Sequence, residues 1–200
     1  MTAPPQPIHG TPLPPDVAWR AVARCAGVGT KLLAQRRVHL PRTHVGQQLQ
    51  FADGSQGRVY LETSVDREPP ATPCVLVVKF RLRWVRGRGH DLFRRESVLN
   101  TPLFVGFPGF VSKLWVAHDT YSVYRGVYEW DGPEQAAAYA GALWRVLALV
   151  SVRGSIGYQV LPRLHRDELL DRVRRPPQPA VAGPDPDTAL PPWARLVAAS

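Results

Sequence analysis

The sequence has little cysteine, and it contains no long apolar run. Its two cysteines, Cys25 and Cys74, lie far apart, so we expect buried free thiols and neither a disulfide framework nor a metal site. No apolar run approaches the roughly 18 residues that predict a membrane-spanning helix. The first residues, MTAPPQPIHG, lack the basic and apolar segments of a secretory signal. We therefore expect a cytoplasmic protein with no membrane association.

Lysine is also scarce, although the chain is basic. The net charge is +9, and Lys31, Lys79 and Lys113 are the only lysines. Arginine is concentrated in residues 79–96, where it makes a local basic patch. Such a patch can attract nucleic acid, acidic lipid or an anionic substrate. Charged runs are more often solvated surface, which is the simpler interpretation.

Proline is concentrated at both ends of the chain. We expect a flexible, extended N-terminus over residues 1–15 and a proline-rich C-terminal tail over residues 176–200. Within the tail, ALPPWARLVAAS could form a last short helix that docks through Trp193 and Leu196. Apart from this segment, the C-terminal tail is a poor candidate for packed structure.

Residues 16–70 predict an N-terminal helix followed by a β-hairpin. Asp16 is placed to cap the helix, and Gly27 is a natural end for it. Two apolar-alternating segments then flank Asp53-Gly54, which is a hairpin signal. We interpret this part as an extension of a main domain that follows it.

Residues 74–165 predict that main domain, which has an α+β fold. CVLVVKFRLRW is typical of a strand and GHDLFRRESVLN of a helix. FVSKLWVAH and SVYRGVYEW are typical of two strands, DGPEQAAAYAGALWRVLALVSV of a helix and GSIGYQVL of a last strand. HRDELLDRVRR can form a trailing helix. This order predicts a ferredoxin-like βαββαβ fold, an antiparallel sheet with two helices on one face.

The two middle strands are apolar on both faces. Alternation places Lys113 and Trp115 on one face of the first strand, and Tyr128 and Trp130 on one face of the second. The helices cover one face of the sheet, and the other apolar face implies a second partner. A second copy of the chain is the simplest such partner, which predicts a homodimer. The alternative is that the N-terminal hairpin covers this face within one chain.

Polar residues interrupt the apolar stripe of the first helix. Helical periodicity places Glu96 and Asn100 on the same stripe as Leu99, with His90 at its edge. A buried carboxylate must be paired or have a raised pKa, which suits a catalytic site and a structural tie equally. On the strand that follows, Lys113 lies among apolar neighbours and needs an acidic partner, a ligand or a route to water.

At GFVSKLWVAHDTYSVYRGVYEWDGPEQAAAYAGAL the chain resembles the dimeric α+β-barrel superfamily, and in particular its branch of small monooxygenases. The resemblance rests on the Ser112-Lys113-x-Trp115 strand, the Gly126-x-Tyr128-x-Trp130 strand, the turn at Asp131 and the helix that begins near Glu134. It covers about residues 74–165. A longer likeness, through RVYLETSVDR and GRGHDLFRRESVLNTPLF, is to uncharacterised actinobacterial proteins.

The resemblance implies a homodimer with a cavity between helices and sheet. In such families the cavity often holds a flat aromatic substrate or haem, and some members oxidise phenolic rings with oxygen and no cofactor. It implies a monooxygenase acting on an aromatic or polyketide-like substrate, with no cofactor. If chemistry occurs, Glu96 or His90 would take a phenolic proton and Asn100 would hold the ring oxygen. The expected substrate-binding residues are Lys113, Trp115, Tyr128, Tyr139 and Trp144.

Other functions remain open. The cavity could bind a small aromatic ligand or haem without catalysis. The basic chain could also be an RNA-binding module, but RGVYEW keeps only Arg125-Gly126 of the RNA-recognition strand pattern, with Val127 and Glu129 in place of its aromatics. Nucleic acid is therefore not the expected partner. The arginines at 86, 88, 94 and 95 could instead dock another protein.

Overall fold

The computed structural model describes residues 14–83, 97–174 and 190–200, together with Gly89. Its helices are α1 (Pro15–Ala34), α2 (Pro102–Val105), α3 (Pro133–Val150) and α4 (Arg166–Arg174), and a 3₁₀ turn spans Ser97–Asn100. Its strands are β1 (Val38–His39), β2 (Gln48–Phe51), β3 (Gln56–Val65), β4 (Pro73–Arg81), β5 (Phe110–Val116), β6 (Val123–Asp131), β7 (Gly157–Pro162) and β8 (Leu196–Ala199). In these ranges every helix is too short or insufficiently apolar to cross a bilayer.

The strands form one sheet in the order β7-β4-β6-β5-β3-β2-β8, with β1 also paired to β3. All of these pairings are antiparallel, so the predicted α+β class with an antiparallel sheet is confirmed. Apart from Gly89 and the 3₁₀ turn, the helix predicted between β4 and β5 lies outside the described residues. The complete βαββαβ order therefore stays a prediction.

The predicted hairpin around Asp53-Gly54 is confirmed. β2 and β3 pair antiparallel, with Gln50 opposite Gln56, and Gly54 has the positive φ of 80° that the turn requires. β3 then pairs with β5 from Val59 to Ser64. The hairpin thus extends the same sheet to which the later strands belong.

The sheet face opposite α1, α2 and α3 is covered by the chain itself. Its cluster of buried aliphatic and aromatic side chains is contributed by the central strands and by β2, β8 and α4. Leu49 and Phe51 come from β2, Leu196 from β8 and Leu170 from α4. The sequence left open the alternative that the N-terminal hairpin covers this face within one chain, and strand β2 of the hairpin does supply part of the cover. The homodimer was predicted to cover this face, and it stays a prediction.

The prediction of a short helix at the C-terminus is wrong. Leu196–Ala199 is strand β8, which pairs with β2. Leu196 is buried, and Trp193 packs against the same apolar cluster. The unpaired edge of β2 offers this segment backbone hydrogen bonds and a buried face, and such tertiary context outweighs the helix propensity of alanine and leucine.

Helix α1 differs from its prediction at both ends. It starts before Asp16, which lies in the first turn and is not the cap, and it continues through Gly27. Close packing against the segment around α2 accounts for the extra length. A Cβ on Gly29 would collide with the backbone of Pro102, and a Cβ on Gly106 would collide with the backbone of α1. Glycine at both positions therefore lets α1 lie directly on this segment.

Candidate functional site

A cavity of about 410 Å³ lies between the sheet and helices α1, α2 and α3. Its volume falls in the range of small-molecule sites. The walls are almost entirely apolar or aromatic, with Val22 from α1, Leu143 from α3 and Asn100 from the 3₁₀ turn. The side chains that dominate its chemistry are Phe104, Lys113, Trp115, Tyr128 and Tyr139.

The pairing of β5 with its neighbours positions the strand residues of this site. Lys113 lies opposite Tyr128 of β6 and opposite Thr63 of β3. Trp115 lies opposite Gly126. Because side chains alternate along a strand, these residues share the face beneath the helices. The sequence-based assignment of faces is correct for these residues.

The amine of Lys113 is enclosed by aromatic rings. Its Nζ lies 3.1 Å from the ring centroid of Trp115, 4.5 Å from that of Phe104 and 4.8 Å from that of Tyr128. The residue is only 6% exposed. Among the residues that the structure describes, no carboxylate forms an ion pair with Nζ. The acidic partner considered from the sequence is therefore absent from this part of the chain.

Burial lowers the pKa of Lys113 well below its ordinary value. The aromatic faces oppose this change, because a desolvated cation–π contact stabilises the ammonium by about 2 kcal/mol. Removing an unpaired ion from water costs several kcal/mol even after relaxation, and this desolvation is the cause of the lowered pKa. A lowered pKa favours the neutral amine, which is the form of lysine that can act as a base or as a nucleophile.

Two tyrosines form a hydrogen-bonded pair in the same wall. The hydroxyl of Tyr139 donates to the hydroxyl oxygen of Tyr128 over 3.3 Å. Burial raises the pKa of both side chains, that of Tyr139 well above its ordinary value. Both therefore stay protonated and serve as hydrogen-bond donors. The proton of Tyr128 is available to an acceptor in the cavity.

Gly126 is needed for the position of Tyr128. A Cβ at residue 126 would lie 2.5 Å from Cε2 and 3.1 Å from the hydroxyl oxygen of Tyr128. The ring therefore lies along the strand, over the backbone of residue 126. Any larger side chain there would push the ring toward the cavity, so the Gly-x-Tyr spacing on β6 has a direct structural reason.

Trp115 is held from β3, which sequence reasoning did not include in the site. Its indole Nε1–H donates to Thr63 Oγ1 over 3.0 Å, and Thr63 is fully buried. The ring of Phe104 meets it edge-on, with the centroids 5.3 Å apart. The alternation of β3 could have indicated that Thr63 is buried, but only the pairing of β3 with β5 identifies its partner.

The structure brings most of the described candidate residues together. Asn100 lines the cavity from an exposed position. Trp144 does not line it; its ring packs against Tyr158, with centroids 6.1 Å apart, beside a separate pocket. Glu96 and His90 lie outside the described residues. The candidates that line the cavity are Asn100, Lys113, Trp115, Tyr128 and Tyr139.

The helical stripe proposed for Leu99 and Asn100 is not formed. Both residues belong to the 3₁₀ turn Ser97–Asn100, and Leu99 is 77% exposed. A 3₁₀ turn has three residues per turn, so positions derived from an α-helix do not apply to it. Asn100 reaches the cavity rim by a different geometry from the one predicted.

Fold and site together define an α+β protein with an apolar, aromatic cavity that contains an unpaired lysine among its described residues. In the described ranges, no group of three or more histidine, cysteine, aspartate or glutamate residues is placed to hold a metal ion. No protein-family model matches the chain, and no curated protein matches it.

Two solved structures show a limited likeness to this chain. One is an anthrone oxidase-like protein, 13% identical, with 56% of this chain and 55% of that chain covered and a TM-score of 0.37. The likeness thus spans about half the length of that protein. The other is an uncharacterized ferredoxin-fold protein from Listeria monocytogenes 4b F2365, related to antibiotic biosynthesis monooxygenases. It is 13% identical, with 68% of this chain and 87% of that chain covered and a TM-score of 0.39. Likeness at this level carries no argument about function.

Proposed function

We propose that the cavity binds a flat, weakly acidic aromatic molecule and that Lys113 takes a proton from it. The observation that carries the proposal is the Lys113 amine itself, which is 6% exposed, lines the cavity and has no carboxylate partner among the described residues. An amine buried in this way destabilises the fold. A ligand that uses the amine accounts for its presence.

The walls suit an aromatic ligand. The rings of Trp115, Phe104 and Tyr128 surround the amine, and aromatic rings prefer offset or edge-on contacts with one another. A flat ligand can occupy the remaining space against the aliphatic side of α3. The acidic group of such a ligand would lie near Nζ, where the neutral amine can accept its proton.

Proton transfer would create the ion pair that the cavity lacks in its described residues. Lys113 becomes an ammonium, and the ligand becomes a phenolate or a carbanion. The anion pairs with the ammonium, and the Tyr128 hydroxyl can donate a hydrogen bond to it. Low polarity around the pair strengthens this attraction. The attraction within this pair has to offset the burial that otherwise disfavours both charges.

The finer form of the proposal is a cofactor-independent monooxygenase that uses dioxygen. An aromatic carbanion can pass electrons to dioxygen, whereas its protonated form reacts slowly. For a ring methylene, one oxygen atom of dioxygen enters the new carbonyl group and the other leaves as water. Lys113 would remove the first proton, and the apolar walls would limit the access of water to the intermediates. A flat, acidic aromatic or polyketide-like substrate fits these requirements.

We also infer that residues 74–165 form a ferredoxin-like βαββαβ unit and that two chains form a homodimer. The adjacent order β7-β4-β6-β5 supports the first inference. The resemblance described above supports the second.

Ligand binding without catalysis is the second candidate function. It is favoured by the two wall tyrosines, which bond to each other and resist deprotonation. They leave Lys113 as the one described wall residue suited to act as a base. Haem fits these residues less well, because the described wall contains no histidine, cysteine or methionine to ligate its iron.

The experiment uses 1,8-dihydroxyanthrone as the probe, first without oxygen and then with it. Absorbance reports whether the bound probe is neutral or anionic, and an oxygen electrode reports turnover. The test variant is Lys113→Met. The matched control is Lys79→Met, since Lys79 lies on the opposite face of the sheet, with its Nζ 4.6 Å from the ring centroid of Trp193.

We expect the wild type and Lys79→Met to bind the probe as its anion, and Lys113→Met to bind it in neutral form. Oxygen uptake that is lost only in Lys113→Met would support the monooxygenase form, and anion binding without uptake would support the binding function. No binding by the wild type, or anion formation that persists in Lys113→Met, would overturn the proposal.

A further inference from the structure

We infer that Lys113 also acts as a nucleophile, forming an imine with an apolar aldehyde or ketone held in the same cavity. This inference deepens the proposed function by naming a second ligand class for the site, and it rests on the proposal that the cavity binds ligands. It does not require the proton transfer to a phenol or the reaction with dioxygen.

The position of the amine supports this reactivity. Nζ lies within 5 Å of three ring centroids, and Lys113 lines a cavity of about 410 Å³. No described carboxylate holds the amine as an ammonium ion. A neutral amine has the free electron pair that addition to a carbonyl carbon requires, and desolvated lysines are the ones that enzymes use to form Schiff bases.

The chemistry needs no reagent beyond the amine and the carbonyl compound. Nζ forms a bond to the carbonyl carbon, and one of its two protons moves to the carbonyl oxygen, which gives a carbinolamine. The C–O bond then breaks as the second Nζ proton reaches the oxygen, water leaves, and a C=N bond forms. Overall, one amine and one carbonyl group give one imine and one water molecule, with no change in oxidation state.

The surroundings favour the imine once it has formed. The Tyr128 hydroxyl, which remains protonated because burial raises its pKa, can donate a hydrogen bond to the carbonyl oxygen. The wall is almost entirely apolar, so little water is present to reverse the reaction. An aldehyde or ketone with an aromatic body would gain contact with Trp115 and Phe104.

The chain contains its own reference amines. Of its three lysines, Lys31 is exposed near the end of α1. Lys79 lies on the other sheet face, where Asp53 and Asp119 favour its charged form although burial and Arg125 lower its pKa. An ordinary lysine is almost wholly protonated at neutral pH. Selective reaction at Lys113 would therefore report the environment of the cavity.

The test is reductive trapping with cinnamaldehyde. The full-length protein is incubated with the aldehyde at pH 7, reduced with sodium cyanoborohydride and analysed by intact mass and peptide mapping. Among the three lysines, we expect the adduct at Lys113 to form at least about tenfold faster than adducts at the other two. Lys113→Met should lose this adduct, and Lys79→Met should keep it.

The controls separate failure of the imine from failure of the site. Cinnamyl alcohol has the same body without the carbonyl group, and it should bind and slow the trapping. Binding of the alcohol or of 1,8-dihydroxyanthrone without an adduct at Lys113 would overturn the imine inference alone. If none of these probes binds, the proposed function is overturned as well. Equal labelling of all three lysines would also contradict the inference.

Discussion

The two faces of the sheet treat buried charge in opposite ways. On the face covered by β2, β8 and α4, the guanidinium of Arg125 lies 2.9 Å from Asp119 and 3.3 Å from Asp53. On the face covered by α1, α2 and α3, the amine of Lys113 has aromatic rings as its neighbours and no carboxylate in the described chain. The first arrangement is an ion pair, and the second is an amine without an ion-pair partner in the described residues.

A second charged cluster on the same face as Arg125 also has partners of opposite charge. Glu62 lies 2.9 Å from Arg166 and 3.0 Å from His44. Burial alone would raise the pKa of Glu62, but the hydrogen bonds from His44 and the charge of Arg166 lower it overall. The carboxylate is therefore ionised and matched. Both buried charges on this face thus have partners of opposite charge, whereas the amine of Lys113 has none among the described residues.

The largest expected effect comes from breaking a pair on the matched face. Arg125→Met leaves Asp119 buried without its cation, and this should cost about 3–5 kcal/mol in the free energy of unfolding. Urea denaturation measures the loss. The control is Arg20→Met, which breaks the exposed Asp16–Arg20 pair and should cost less than about 1 kcal/mol. Equal losses of unfolding free energy in the two variants would show that the buried pair of Arg125 is no more stabilising than the exposed pair of Arg20.

Lys113→Met should act in the opposite direction and stabilise the protein. It replaces an amine that lacks a described ion-pair partner with an apolar side chain of similar length, which should gain about 1–3 kcal/mol. For a chain of this size, that raises the melting temperature by about 2–4 °C per kcal/mol. A large loss of stability would show that the amine has a structural partner and would contradict the functional interpretation.

The gain from Lys113→Met should also depend on pH. The pKa of Lys113 is lowered in the folded state, and in the unfolded chain it returns to about 10.4. Between these two values the unfolded chain binds one more proton, so wild-type stability rises with pH across this window. The advantage of Lys113→Met should therefore be largest near neutral pH and shrink as the pH approaches 10. An advantage that stays constant from pH 7 to 10 would contradict the lowered pKa.

Gly126→Ala sharpens the comparison within the cavity. The added Cβ would meet the Tyr128 ring at 2.5 Å, and such overpacking costs about 1–3 kcal/mol. Displacement of the ring should also weaken binding of 1,8-dihydroxyanthrone, measured by tryptophan fluorescence. Gly27→Ala is the matched control, because a Cβ there meets nothing within 4 Å and should be neutral or stabilising. If Gly126→Ala binds the probe as tightly as the wild type, Tyr128 does not contribute to ligand binding.

Thr63→Val should have the smallest effect of the four substitutions. It keeps the shape of the side chain but leaves the Trp115 indole N–H without its acceptor, at a cost of about 1 kcal/mol. Thermal unfolding and the fluorescence maximum of the protein would report the change. Thr30→Val is the control, since the hydroxyl of Thr30 bonds only within the exposed surface of α1. The two variants should differ in probe affinity, and equal affinities would show that Thr63 does not position Trp115.

Local patterns predicted the strands that carry the site. Alternation on β5 and β6 was enough to place Lys113, Trp115 and Tyr128 on one face, because that periodicity depends only on neighbouring residues. This periodicity did not reveal the bulge between Phe110 and Ser112. As a result, Phe110 packs with Trp130 on the helix-covered face, although strict alternation from Lys113 would place it on the opposite one.

Long-range contacts account for what the sequence did not reveal. Thr63, Phe104 and Val22 enter the site through strand pairing and helix packing between segments far apart in the chain. No local pattern encodes those contacts. The same reason explains strand β8, whose partner lies near the other end of the chain. Trp144 was expected to bind substrate, but its ring packs against Tyr158 of β7, a contact that no local pattern encodes.

The most direct test of the central claim is the titration of Lys113 in the folded protein. Lysine labelled with ¹³C at Cε gives one signal for each of the three lysines, and Lys113→Met identifies the signal of interest. The account predicts that the Lys113 signal changes well below pH 10.4 and that bound 1,8-dihydroxyanthrone moves this transition upward. A transition near pH 10.4, unaffected by the probe, would contradict a neutral amine serving a ligand in this cavity.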